Sequence, residues 1–212
     1  IYNNGVTVWD PKVDLLTLEN LLSDDEVTTI IGVAVAHRIT PFVNVIGSFD
    51  KQNHDHFIFH APTLHDVEKD LVEKYFSRTD ATLLPLKSLP TDSHVTNISM
   101  IGDASAIDEM WLEFNTHKNL IAYSGPALEG KNYKWMDVHH CMASKGAAIT
   151  TLKQQLGASN IICFGDSYND LSMFELADES YAPENAKAEI KKSANAVIGH
   201  NNKDGIAHFL RE

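Results

Sequence analysis

Apolar and polar positions follow two different rhythms along this chain, and the change comes near residue 141. Before it, helical and alternating stretches come in pairs. Residues 6–9 read Val-Thr-Val-Trp, a strand leaving the tight turn Asn3-Asn4-Gly5, with Ile1-Tyr2 as the end of an earlier strand and Asp10-Pro11 closing the segment. Ser23 and Glu26 have the spacing of a capping box and predict a helix to about residue 37. Strands are predicted over 42–49 and 55–60. A second helix opens at Thr63 and carries Leu64, Val67, Leu71, Val72 and Tyr75 on one face. Pro85 and Pro90 limit regular structure over 77–93. Residues 95–101 alternate as a strand. A third helix over 104–115 puts Ile107, Met110, Trp111 and Phe114 on one stripe, and strands follow over 120–123 and 133–138. Helix, strand, strand thus occurs twice, which predicts an antiparallel sheet with helices on one face.

After residue 141 strands and helices alternate singly. Ser144 caps a helix over 145–156 that Gly157 stops. A compact apolar strand covers 161–164, followed by a short helix over 171–177, a brief strand at 181–182, a helix over 186–192, a strand at 196–198 and a last helix over 205–210. Alternation of this kind predicts parallel pairing and an α/β layer.

The chain has 212 residues, 43% of them hydrophobic and 22% charged, enough for one large domain or two small ones with real cores. Its net charge of −12, with no long basic run, argues against a nucleic-acid partner. A small phosphorylated ligand needs only a cation and a few donors. No apolar run of membrane-spanning length and no signal peptide occurs, and Cys141 and Cys163 do not make a disulfide framework, so a cytoplasmic setting without membrane contact is expected. His54, His56, His60 and His65 crowd one region but lack the placed third ligand of a zinc site.

The chemistry concentrates after residue 143. Asp166, Asn169 and Asp170 follow the apolar strand that ends at Gly165. Ligands bind outside the carboxyl ends of strands in open α/β sheets, and acids there can converge on a hard cation such as Mg²⁺. Asn169 or Asp170 would equally cap the helix at 171. Lys145 lies in the first turn of its helix, where its charge opposes the helix dipole. Either a bound anion removes that conflict or the long side chain carries the charge into solvent. Asn185 is placed to donate to an oxyanion or to cap the following helix. Asn201 to Gly205 reads as a structural turn. No dinucleotide-binding or P-loop glycine motif and no nucleophile elbow is present.

Taken together, these motifs resemble the haloacid dehalogenase superfamily, most of all its Cof-type sugar-phosphate phosphatases with a large α/β (type IIB) cap. Ser144-Lys145-Gly146 resembles the third motif and Gly165-Asp166-Ser167-Tyr168-Asn169-Asp170 the fourth. Pro183-Glu184-Asn185-Ala186, Asp204-Gly205-Ile206-Ala207 and Asn4-Gly5 resemble further turns of the family. The likeness spans essentially the whole chain, densely over 144–207 and weakly over the cap. It implies an α/β fold with a Rossmann-like core, incomplete at its N-terminus (1–9 and 139–212), and an inserted α+β cap (10–138). It implies a Mg²⁺-dependent phosphatase of small phosphorylated metabolites working through an aspartyl phosphate. Lys145 would steady the phosphate, Asp166 and Asp170 would hold or support the metal, and Asn4, Gly5, Asn169 and Asn185 would line the phosphate site. The family's Asp-x-Asp nucleophile segment is absent from the sequence. The resemblance therefore implies that roughly 40–60 residues precede Ile1, from the usual length of βαβ units. A non-catalytic phosphate- or partner-binding module and a phosphosugar mutase are the alternative readings.

Overall fold

The chain divides close to its change of rhythm: Val6–Met142 forms one unit, and the flanking residues, up to Gly5 and from Ala143 onward, form another. The computed structural model describes residues 3–10, 15–49, 54–63 and 65–211; the expectations placed on Ile1-Tyr2, Pro11 and Leu64 lie outside them. The division falls slightly away from the expected boundaries at 9/10 and 138/139. The strand after Val6 and the strand running to His140 both pair inside the inserted unit and go with it.

In that unit β1 (Thr7–Asp10) pairs antiparallel with β2 (Leu15–Leu18), a strand the sequence pattern did not reveal. Helix α1 (Asp24–Ala36) starts on the expected capping box: the Glu26 amide donates to Ser23 Oγ at 3.4 Å and the Ser23 amide to Glu26 Oε2 at 2.9 Å. There follow β3 (Phe42–Phe49), β4 (His54–His60), α2 (Asp66–Lys74), β5 (Thr82–Pro85), β6 (His94–Asp103), α3 (Ala104–Thr116), β7 (Leu120–Pro126) and β8 (Tyr133–His140). Six strands form one sheet in the order β5-β4-β3-β6-β8-β7. All pairings are antiparallel except β4 with β5, which α2 connects as a parallel crossover. Pro85 sits at the last position of β5, where a proline is tolerated at a sheet edge.

Side chains alternate across a strand. Val43, Val45, Ile98, Met100, Met136 and Val138 therefore share one face, packed with Ile30 and Ala34 of α1 and Ile107, Met110 and Phe114 of α3. Each of these large buried side chains contributes roughly 1.5–3 kcal/mol. The expectation of helices on one face holds for α1 and α3. The turn after α2 goes to the opposite face, where the Phe76 ring lies 5.2 Å from that of Phe42.

That opposite face carries a polar row across four strands. His56 Nε2 lies 3.3 Å from Asn44 Oδ1, and the amides of Asn44 and Asn97 each donate to Ser99 Oγ at 3.1 Å. The Asn97 amide also reaches Asp137 Oδ1 at 3.4 Å. Buried amides are costly unless bonded, and here each finds a partner on a neighbouring strand.

Helix α2 begins later than expected. His65, not Thr63, is its N-cap, because Glu68 folds back to accept the His65 amide at 2.9 Å. The same carboxylate, fully buried, accepts the Thr40 amide and the Thr40 hydroxyl, both at 2.8 Å. It ties α2 to the approach of β3. Glu68→Ala is expected to cost about 2–4 kcal/mol, since two backbone amides and a hydroxyl lose a charged acceptor. The urea midpoint measures this, and a midpoint equal to wild type would refute it.

The second unit joins a 3-10 turn, Asn3–Gly5, to α4 (Lys145–Leu156), β9 (Ile162–Phe164), α5 (Leu171–Phe174), β10 (Glu179–Pro183), α6 (Ala188–Ser193), β11 (Ala196–Ile198) and α7 (Gly205–Phe209). The three strands are parallel in the order β11-β10-β9. Cys163, Phe174, Ala182, Ala186 and Ile190 form their core. Because the strands run the same way, the loops at 165–170, 184–187 and 199–204 all leave one edge of the sheet. Helix α5 is shorter than the predicted 171–177, since the Leu176 and Ala177 amides both donate to the Met173 carbonyl in a turn, and α6 starts two positions later than predicted because residues 184–187 belong to that loop edge. Among the described residues no helix is long and apolar enough to cross a membrane.

Candidate active site

The first turn of α4 is built for close approach. Ser144 caps it, accepting the Ala147 amide at 3.1 Å. The Gly146 amide donates to Ser172 Oγ at 3.1 Å, and a Cβ on Gly146 would stand 2.2 Å from the Ser172 carbonyl oxygen. Only glycine lets α4 meet the start of α5 this closely. Gly5 meets α4 from the other side. Its φ is +102°, and a Cβ there would lie 2.5 Å from the Ser144 carbonyl oxygen.

These contacts place Lys145 against Asp170, with Nζ 2.6 Å from Oδ1. The conflict between Lys145 and its helix dipole is answered by a carboxylate of the protein itself. Asp170 is only 4% exposed. Its second oxygen, Oδ2, accepts the amides of Asp166 and Ser167 at 2.9 and 3.0 Å. Asp170 thus fixes the turn between β9 and α5 as a buried, charge-assisted hub. Beneath it, burial first and the Asp170 charge second push the Cys163 thiol above its ordinary pKa, which keeps it protonated.

Asp166 is exposed on the same turn. Its Oδ2 lies 3.5 Å from the Asn185 amide nitrogen, and Asn185 Oδ1 accepts the Asn201 amide at 3.2 Å. Asn185 therefore braces two loops and caps nothing: the N-cap of α6 is Lys187, without a side-chain capping bond. Asn169 donates its amide to Asn4 Oδ1 at 3.0 Å. Asn4 holds left-handed backbone angles, φ 52° and ψ 28°, which asparagine tolerates. Every candidate residue, Asn4, Gly5, Lys145, Asp166, Asn169, Asp170 and Asn185, is gathered in this one unit by these bonds.

Both oxygens of Asp170 are engaged, by Lys145 and by the amides of Asp166 and Ser167, so this carboxylate braces the turn that carries Asp166. Among the described residues no three His, Cys, Asp or Glu side chains form a metal-holding group. The donor chemistry still fits Mg²⁺, which binds through one or two carboxylates, keeps several waters and completes its shell with substrate phosphate. Asp166, exposed on the turn, is the carboxylate that could hold such an ion.

Three participants had no readable signal in the sequence. Ser172 receives the Gly146 amide from inside a short helix. Tyr168 and Lys187 form a pair at the rim, with Lys187 Nζ 4.1 Å from the Tyr168 ring centroid, a contact worth about 0.5–1 kcal/mol at exposed sites. The Lys187 backbone amide also donates to the Asp166 carbonyl at 3.4 Å.

Comparison with known proteins agrees with this geometry. A family of haloacid dehalogenase-like hydrolases matches residues 1–210. The pyridoxal phosphate phosphatase YbhA of Escherichia coli is 30% identical over 168 residues, covering 74% of this chain and 58% of its own. The 5-amino-6-(5-phospho-D-ribitylamino)uracil phosphatase YwtE of Bacillus subtilis is 36% identical over 100 residues, covering 46% of this chain and 33% of its own. This chain spans 55% and 58% of the length of the first curated relatives it matches. Among solved structures, a haloacid dehalogenase-like hydrolase from B. subtilis superposes with a TM-score of 0.75 at 21% identity, over 99% of this chain and 77% of that one. A subclass IIB sugar phosphatase superposes with a TM-score of 0.71 at 15% identity, over 98% and 72%; at such identities the likeness is one of fold, with a Rossmann-like core. With its Lys145–Asp170 pair, its Asp166 turn and a family match across nearly its whole length, the chain belongs to the haloacid dehalogenase-like hydrolases.

Proposed function

We propose that the protein hydrolyses small phosphate monoesters of the sugar-phosphate type, with Mg²⁺ at Asp166. The observation that carries this reading is the turn at 165–170, in which the buried Asp170 anchors Lys145 and leaves Asp166 exposed on one sheet edge. Lys145 would hold a non-bridging phosphate oxygen while remaining braced on Asp170. The amides of Asn169 and Asn185, kept in place by Asn4 and the Asn201 backbone, would orient the phosphate. The ion, when bound, supplies positive charge against the charge developing on the transferring group. An aspartyl-phosphate route takes its nucleophile from an Asp-x-Asp segment, which these 212 residues do not contain.

The two named relatives are called a pyridoxal phosphate phosphatase and a 5-amino-6-(5-phospho-D-ribitylamino)uracil phosphatase, which supports a small phosphorylated substrate. The unit Val6–Met142 interrupts the site-bearing unit in sequence, which supports a cap that selects substrates. Cys141 and Cys163 are both free, which suits a reducing cytoplasmic setting. The test is phosphate release by the full-length protein from a panel of sugar phosphates, pyridoxal phosphate and simple aryl phosphates. Turnover that depends on Mg²⁺ and stops with chelator is expected. A panel without any release would reject the proposal.

A further inference from the structure

We propose that Lys187 is a specificity residue: its ammonium receives a second anionic group, a carboxylate or a further phosphate, on the organic part of the substrate. Resting on the phosphatase reading above, this assigns the class of ester the site takes.

Four observations place Lys187 in that role. Its backbone is stitched to the site, because its amide donates to the Asp166 carbonyl at 3.4 Å and its neighbour Ala186 is buried, with its amide bonded to the Pro183 carbonyl at 2.8 Å. Its ammonium lies over Tyr168, which is 44% exposed. Asn169 and Asp170, next in the turn, point inward to Asn4 and Lys145. Tyr168 and Lys187 therefore mark the outer side of the same turn, where the organic part of a bound ester would extend. Finally, the charge of Lys187 is unspent. Among the described residues no carboxylate comes within 4.0 Å of its Nζ, whereas Lys145 gives its charge to Asp170 at 2.6 Å.

A π face holds an ammonium less firmly than a carboxylate does. The lysine is thus pre-placed at the rim, yet free to turn onto an oxygen of an incoming acid. In a protein of net charge −12, a cation held beside the site without a carboxylate partner has a large say in which anions settle there. A lysine that merely props Tyr168 predicts no such discrimination.

The experiment compares esters that differ by one acid group, using the full-length protein and its Lys187→Gln and Lys187→Arg variants. Glycerol 3-phosphate is set against 3-phosphoglycerate, and glucose 6-phosphate against glucose 1,6-bisphosphate. Wild type is expected to favour the more acidic member of at least one pair in kcat/KM. Lys187→Gln should lower that preference about tenfold, the worth of one hydrogen bond to a charged group, through KM and with kcat nearly unchanged. Lys187→Arg should restore it. The pair that responds tells a carboxylate from a second phosphate. Equal losses on both members, or a wild type that takes both members of each pair alike, overturns the proposal. If wild type releases phosphate from no ester, the phosphatase reading fails, and the same pairs are then compared by calorimetric binding. There, a preference for the acidic member that vanishes in Lys187→Gln still supports the role of Lys187, and equal binding overturns it.

Discussion

Asp166→Asn is expected to lower Mg²⁺-dependent phosphate release by about 10²–10⁴-fold while leaving the melting temperature within a degree or two of wild type. Asparagine keeps the size of the side chain and an oxygen for the 3.5 Å approach of Asn185. The backbone of residue 166 keeps its bonds to Asp170 and Lys187. What disappears is the negative charge that, in the proposed function, would hold a divalent ion, and a correctly placed metal is worth several kcal/mol of transition-state stabilisation. The activation curve should also move to higher Mg²⁺. Full activity with an unchanged Mg²⁺ midpoint would remove Asp166 from the metal site and, with it, the main support for the proposed chemistry.

The second large effect is expected at Asp170, and it falls on stability. Asp170→Ala leaves the amides of Asp166 and Ser167 and the ammonium of Lys145 without their acceptor. Breaking a buried charged pair costs about 3–5 kcal/mol. The Lys145 side chain is 31% exposed and can find water, so a loss of about 2–4 kcal/mol is the better expectation. Activity should fall as well, because the turn that presents Asp166 is no longer fixed. Lys145→Met removes one partner only and should cost less. The double variant then gives the coupling of the pair, expected at about 1–3 kcal/mol from denaturation midpoints. An Asp170→Ala protein that unfolds at the wild-type midpoint would show that the turn is held by something other than this carboxylate.

These two residues also mark how far the sequence could be read. Local signals were legible: the capping box at Ser23 and Glu26, the Ser144 cap, the Gly157 stop and the alternation that sets β3, β6 and β8. The acidic turn was legible as chemistry because its residues are near neighbours. The division of labour within it was not. Asp166 and Asp170 have the same side chain four positions apart, and only the burial supplied by α4 and β9 makes one a hub and leaves the other open. Asn185 read as a helix cap as readily as a donor, because its partners, Asp166 and Asn201, come from loops remote in sequence. Glu68 illustrates the same limit. It captured Thr40 across a distance no local pattern records, and so moved the start of α2 from Thr63 to His65. β5 was hidden by the prolines around it, since a proline at a strand's last residue looks the same in sequence as one that prevents a strand.

The bond between Asn4 and Asn169 joins positions 165 residues apart. Everything between Gly5 and Ala143 is, for that bond, the inside of a closed loop. The entropy of closing such a loop grows only with the logarithm of its length, by about 0.6 kcal/mol for each doubling. The inserted unit can therefore grow, shrink or be exchanged over evolutionary time at almost no thermodynamic expense to the site. The order of synthesis has the opposite character. Residues 6–142 leave the ribosome before β9, β10 and β11 do, so the turn at 165–170 reaches Asn4 only after the whole inserted unit has been made.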